Sequence, residues 1–197
     1  MKKKKYLLFF NKLLLIFVIL KKLKMKTNKI LSTMKVVSWV IFIGICIKAG
    51  AIIISSLVSL FVNQEATKDL YLGLNLSALY EFGVGHYVAL LAFIISMLVL
   101  QAYIFFLVIK LFSKFDEHSP FNQELSELIL KISYFSLFTG LIALIGTGYS
   151  KWLSKKDILV LFDWGAEEFL FMSGVIFIVA LFYRRGIEIQ MENELTV

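Results

Sequence analysis

Apolar residues gather in four long runs, 36–62, 87–112, 132–152 and 169–183, divided by shorter polar stretches. A hydrocarbon core of about 30 Å needs roughly 20 residues of helix at 1.5 Å each. The first two runs exceed that and are expected to tilt or protrude. The third contains glycines, and the fourth covers only about 22 Å at the same rise, so its helix is expected to start near Ala166, with Glu167 and Glu168 at the interface. Insertion of the second run is strongly favoured. Its Leu, Ile, Val and Phe side chains, at roughly −0.3 to −0.6 kcal/mol each, sum to about −5 to −10 kcal/mol. The pattern therefore predicts an all-α membrane protein with four transmembrane helices, at about 36–62, 87–112, 132–152 and 166–183.

Two connecting segments carry a different period. Leu70, Leu72, Leu74 and Leu76 alternate with Tyr71, Gly73, Asn75 and Ser77, and residues 157–162 read DILVLF. Both are strand-like. They are expected to pair as a small extracytoplasmic two-stranded β ribbon, the alternative being interfacial helix or loop.

Composition agrees with the hydropathy. Of 197 residues, 59% are hydrophobic and 18% charged, against roughly a quarter charged in soluble domains, and the mean hydropathy is +0.83. The single cysteine, Cys46, lies in an apolar run, and no CxxC or Cys/His ligand spacing is present. The net charge of +7 sits beside apolar runs, which points to anionic lipid headgroups and orientation, with no direct nucleic-acid binding. Eleven lysines precede Val36, three more lie in 110–131, and Arg184 and Arg185 follow the last run; the opposite connections hold Lys68, Lys151, Lys155 and Lys156. This bias predicts a cytoplasmic (inner) membrane protein with both termini cytoplasmic. Tyr71, Tyr80, Tyr87, Tyr149, Trp152 and Trp164 then fall near the outer interface as an aromatic belt.

Residues 1–28 form a basic extension ahead of a membrane domain at 29–197. The extension has a basic start and an apolar middle, but Asn11 and Lys12 interrupt it and no small-residue cleavage site follows. Two readings lead, translation beginning at Met25 or an accessory interfacial segment; a fifth crossing is the third, and it would reverse the charge bias.

Lys48 is the anomaly within a span, costing roughly 2.5–3.5 kcal/mol there on insertion scales. Gly44, Lys48, Ala51, Ser55 and Ser59 recur three or four apart, a stripe of small residues that places Lys48 toward the other helices. Lys48 is then either a charge on an ion or substrate path, or a snorkelling lysine bonded to carbonyls. Gln101 is its one neutral candidate partner within a span.

The connection KLFSKFDEHSPFNQELSELILKIS is the best-formed motif. Pro120 stops the preceding helix, and Asn122 caps the next, with Gln123 and Glu124 in its first turn. Leu125, Leu128, Ile129 and Ile132 form an amphipathic stripe leading into the third span, either an interfacial helix or a docking surface. His86 and His118 lie at opposite faces and share no metal. No catalytic fingerprint is present, so no enzyme, cofactor or metal is expected. After the arginines, Ile187, Met191 and Leu195 share a helical stripe. A short helical continuation of the fourth span is expected, its acidic amphipathic face meeting protein.

SPFNQEL after LFSKFD, and the C-terminal RRGIEIQMENELTV, resemble the two marker segments of domain-of-unknown-function family 2975, bacterial four-span integral membrane proteins. The resemblance covers roughly residues 29–197. Pro120, Phe121 and Asn122, and Gly186, Glu188, Glu192, Glu194 and Leu195, carry it and become candidate partner-contact residues. It brings no catalytic residues. It implies a cytosolic helix–turn–helix regulator as partner, because genes of such proteins often adjoin one. The expected function is a non-enzymatic regulatory partner of that regulator; the alternative is a small transporter or pore subunit using Lys48.

Overall fold

Each apolar run lies inside one long helix of the computed structural model, which describes residues 2–115 and 121–194, with side chains at 29–115 and 121–193. The helices are α1 (Lys2–Phe61), α2 (Ser77–Phe82), α3 (Val84–Lys114), α4 (Gln123–Ser154) and α5 (Ala166–Glu194), with a 3₁₀ turn at Gln64–Lys68. Four stretches are long and apolar enough to cross a bilayer: Lys29–Phe61, Val84–Lys114, Gln123–Ser154 and Ala166–Asn193. The protein is an all-α, multi-pass membrane protein. The basic extension is helical from Lys2 and runs into the first span without a break.

The four long helices stand in a row. α1 packs on α3, α3 on α4 and α4 on α5, while no Cα of α1 comes within 8 Å of one in α4 or α5. In α1 the side turned to α3 holds Ser38, Phe42, Ile45, Ala49, Ile52, Ser56 and Ser59, alternating four and three residues apart. That is the 3.5-residue repeat of a left-handed helix pair. Its serines do not leave unpaired hydroxyls: Ser38 donates to Met34 C=O and Ser56 to Ile53 C=O, and Ser59 Oγ lies 2.6 Å from Tyr87 Oη on α3. Small residues let the backbones approach while their hydroxyls are satisfied locally.

The α4–α5 contact is closer still. Ser133, Ser136, Thr139, Gly140, Ala143 and Gly146 are all buried on α4. A Cβ added at Gly140 would lie 2.9 Å from Leu170 Cγ, and one at Gly146 would lie 2.3 Å from Trp164 Cζ3. Ser133 Oγ donates across the interface to Ser173 C=O at 2.9 Å. Trp164 against Gly146 also fixes depth: α4 runs on eight residues to Ser154, about 12 Å at helical rise. The chain therefore descends that far along the row before α5 begins.

Lys110, Lys114, Lys131, Arg184 and Arg185 lie toward one end of the row, the basic end. Residues 62–83 and 155–165 lie at the other, the loop end. The expected β ribbon is not formed; no strand occurs among the described residues. Leu72 and Gly73 take positive φ, 48° and 85°. They close a turn in which Leu70 N–H donates to Leu74 C=O, while Asp69 Oδ1 accepts from Gly73 N–H. Asp157, at φ 61°, ends the turn after α4, and the next residues have no regular structure. Leu70, Leu74, Leu76 and Ile158 are nonetheless buried in one cluster with Tyr87, Leu90 and Trp164. Alternation marked the buried Leu70, Leu74 and Leu76, but Leu72 is 86% exposed in the turn, and that turn consumes the hydrogen bonds a ribbon needs.

Candidate functional site

Two places gather polar side chains. At the basic end, Asn122 has extended backbone and its Oδ1 accepts from Leu125 N–H at 2.8 Å, capping α4 as the sequence predicts. α4 continues from this cap straight into its span, so 123–131 is not a separate helix in the membrane plane. Leu125, Leu128 and Ile132 are buried with Ile104 and Leu107 of α3. Lys114 at the end of α3 pairs with Glu124 across the connection.

Phe121 meets α5. Its ring centroid is 5.4 Å from that of Tyr183, and Asn122 N–H points to Tyr183 Oη at 3.4 Å. A Cβ on Gly186 would lie 2.6 Å from Phe121 Cε1, so the glycine is what lets the ring approach α5. Phe121, Asn122 and Gly186, drawn from two separate sequence segments, thus form one surface. Beside it runs a groove of about 290 Å³ between α4 and α5, lined by Gln123, Ser126, Glu127, Leu130, Arg184, Ile187, Glu188 and Met191. Glu188 is engaged by its own helix, 2.8 Å from Arg185 Nη1 and 3.9 Å from Arg184 Nε. Glu192 lies on the exposed last turns of α5. Pro120, Leu195, His118 and the side chain of Glu194 lie outside the described residues.

The second place surrounds Lys48. Gly44 is exposed, Lys48, Ala51 and Ser55 are half-buried, and of the predicted stripe Ser59 alone belongs to the buried seam. Lys48 therefore sits on the flank of the α1–α3 contact and not inside it, a correction to the stripe reading. It lines a cavity of about 530 Å³ with Gly44, Ile52, residues 71–74 and residues 161–163. Its ammonium lies 5.3 Å from the centroid of the Phe162 ring, a favourable cation–π distance. No carboxylate of the described residues comes within 4.0 Å of it. Asp163 lines the same cavity, so the lysine stem runs over apolar surface while its ammonium reaches a partly polar wall. Gln101 is elsewhere, on an apolar pocket of about 150 Å³ between α3, α4 and α5.

His86 is not an isolated loop residue. Its Nδ1 is 2.6 Å from Tyr149 Oη, and its ring neighbours Phe82 and Trp152, with Tyr149 and Trp152 stacked at 5.8 Å. Among the described residues no group of three His, Cys, Asp or Glu side chains is placed to hold a metal. Sequence reasoning missed Tyr183, Phe162 and Asp163, which carry no motif of their own; the small residues spaced three or four apart from Ser133 to Gly146 were a legible sign of the close α4–α5 contact. No known protein family, curated protein or solved structure matches the chain.

Proposed function

We propose that this is a non-enzymatic protein of the bacterial inner membrane, with both termini cytoplasmic, that binds a cytosolic helix–turn–helix regulator at its basic end. One observation carries the reading: Phe121, Asn122 and Gly186, the residues behind the resemblance to family 2975, pack together beside an open groove. The groove's lining combines apolar Leu130, Ile187 and Met191 with polar Gln123, Glu127 and Arg184. That pattern suits the apolar face of an amphipathic helix. The lysine and arginine bias favours the cytosol for this end. The test places a photo-crosslinking amino acid at Gln123 or Met191 of the full chain in cells. A crosslink to a helix–turn–helix protein, lost in Gly186→Leu, supports the proposal. The same yield from a crosslinker at Lys155, or none at all, refutes it.

A second reading, a small transporter using Lys48, draws on the cavity around that residue. It requires solute flux in reconstituted vesicles that Lys48→Met abolishes; unchanged flux removes it.

A further inference from the structure

We propose that the Lys48 cavity is a binding site for a zwitterionic amphiphile, its anionic group on Lys48, its ammonium on Asp163 and its chains along the flank of α1 past Gly44. The inference holds whether or not anything is carried across the membrane, and it does not rest on a cytosolic partner.

Two charges of opposite sign line one cavity without meeting. Lys48 Nζ has the face of Phe162 on one side and no carboxylate within 4.0 Å among the described residues. Asp163 accepts from Gly165 N–H through Oδ1 at 3.1 Å, and Oδ2 takes no hydrogen bond from the described residues. A ligand carrying only an anion would satisfy Lys48 and be repelled by Asp163, with Glu167 and Glu168 close by in sequence at the start of α5. A ligand carrying only a cation would meet the reverse. A phosphate or carboxylate joined by a short tether to an ammonium satisfies both, each through a charge-assisted hydrogen bond. The cavity's volume, about 530 Å³, falls within the usual 300–1,000 Å³ of ligand pockets.

The apolar part follows from the row. No Cα of α1 comes within 8 Å of one in α4 or α5, so neither backbone packs on this flank of α1. A Cβ at Gly44, one turn from Lys48 toward the basic end, would meet nothing within 4 Å. Open space thus continues from the charged group along α1 into the membrane. A head held at Lys48 and Asp163 with chains running past Gly44 has the polarity of a lipid in the leaflet at the loop end. The residues 71–74 and 161–163 enclose the head from above.

The chemistry is shared by a bilayer phosphoethanolamine lipid and a chainless soluble zwitterion, and the experiment separates them. Full-length protein in nonionic detergent is titrated with phosphatidylethanolamine, phosphatidylglycerol and glycerophosphoethanolamine, and adducts are counted by native mass spectrometry. The proposal expects phosphatidylethanolamine to be retained roughly tenfold better than phosphatidylglycerol, the size of one charge-assisted hydrogen bond. Lys48→Met and Asp163→Asn should each remove that preference. Gly44→Phe should lower retention by filling the space while leaving both charges. Competition by glycerophosphoethanolamine at lipid-like concentrations overturns the amphiphile and assigns the site to a soluble zwitterion; its failure to compete supports the lipid. Equal retention of both lipids in the wild type overturns the proposal, as does sensitivity to Lys48→Met with none to Asp163→Asn. Should either charge variant fail to fold, the headgroup series on the wild type together with Gly44→Phe still decides.

Discussion

Replacing Gly146 by alanine should destabilise the protein, whereas the same change two residues later should not. A Cβ at Gly146 would sit 2.3, 2.4 and 2.5 Å from Cζ3, Cε3 and Cη2 of Trp164, all far inside van der Waals contact. The indole cannot step aside freely. It is 4% exposed, its Nε1–H donates to Ser150 Oγ at 3.0 Å, and it lies edge-on to Phe162 at 4.8 Å. Overpacking a well-packed site costs about 1–3 kcal/mol, and breaking the indole hydrogen bond adds about 0.5–1.5 kcal/mol. Together these give a loss of about 1.5–4.5 kcal/mol. Gly148, on the same helix, has nothing within 4 Å of its Cβ position, so Gly148→Ala should be neutral or stabilising by up to about 1 kcal/mol, the helix propensity gain. Thermal unfolding of both variants in detergent, followed by circular dichroism, measures the difference, and Trp164→Leu in the Gly146→Ala background should recover part of the loss. Equal stability of the two alanine variants would refute the packing of Trp164 on α4, and with it the depth assigned to the start of α5.

Three other outcomes follow from the same contacts. Asn122→Ala should cost about 1 kcal/mol, the usual value of an N-cap, and hydrogen exchange at the Leu125 amide should accelerate. Tyr87→Phe should cost about 0.6 kcal/mol, typical of an interhelical hydrogen bond in a membrane, and unfolding of the Ser59→Ala, Tyr87→Phe double variant should show the two effects to be non-additive. Gly186→Val should displace the exposed Phe121 ring at a cost of about 0.5 kcal/mol, with a loss of the Phe121–Tyr183 contact visible in the tyrosine fluorescence.

What was legible in the sequence divides by physical cause. Crossing helices are written in local hydropathy, so all four were visible, as were the Asn122 cap, the start near Ala166 and the helical run past Arg185, but not the unbroken helix from Lys2 into the first span. The order of neighbours was not, because a row and a closed bundle ask the same of every helix until the buried faces are known. On α1 that face is the Ser38–Ser59 seam, one position round from the stripe of small residues that drew attention to Lys48. The ribbon failed because a turn can meet much of the same alternation: Asp69 together with the positive φ values at Leu72 and Gly73 buries Leu70, Leu74 and Leu76 and leaves Leu72 exposed. The Lys48 cavity was hidden for another reason: its wall, Phe162 and Asp163, comes from a connection more than a hundred residues away and bears no local mark. Phe121 and Gly186 stood out as sequence markers, but their mutual contact is a tertiary fact.

The central claim is that the Phe121–Gly186 end faces the cytosol while the loop end, with the Lys48 cavity beneath it, faces outward. Single cysteines at Lys155 and Met191, in a Cys46→Ser background, test it with a membrane-impermeant maleimide on intact cells. The account predicts labelling of Lys155→Cys in intact cells and of Met191→Cys only after the membrane is opened. Labelling of Met191→Cys in intact cells would contradict it.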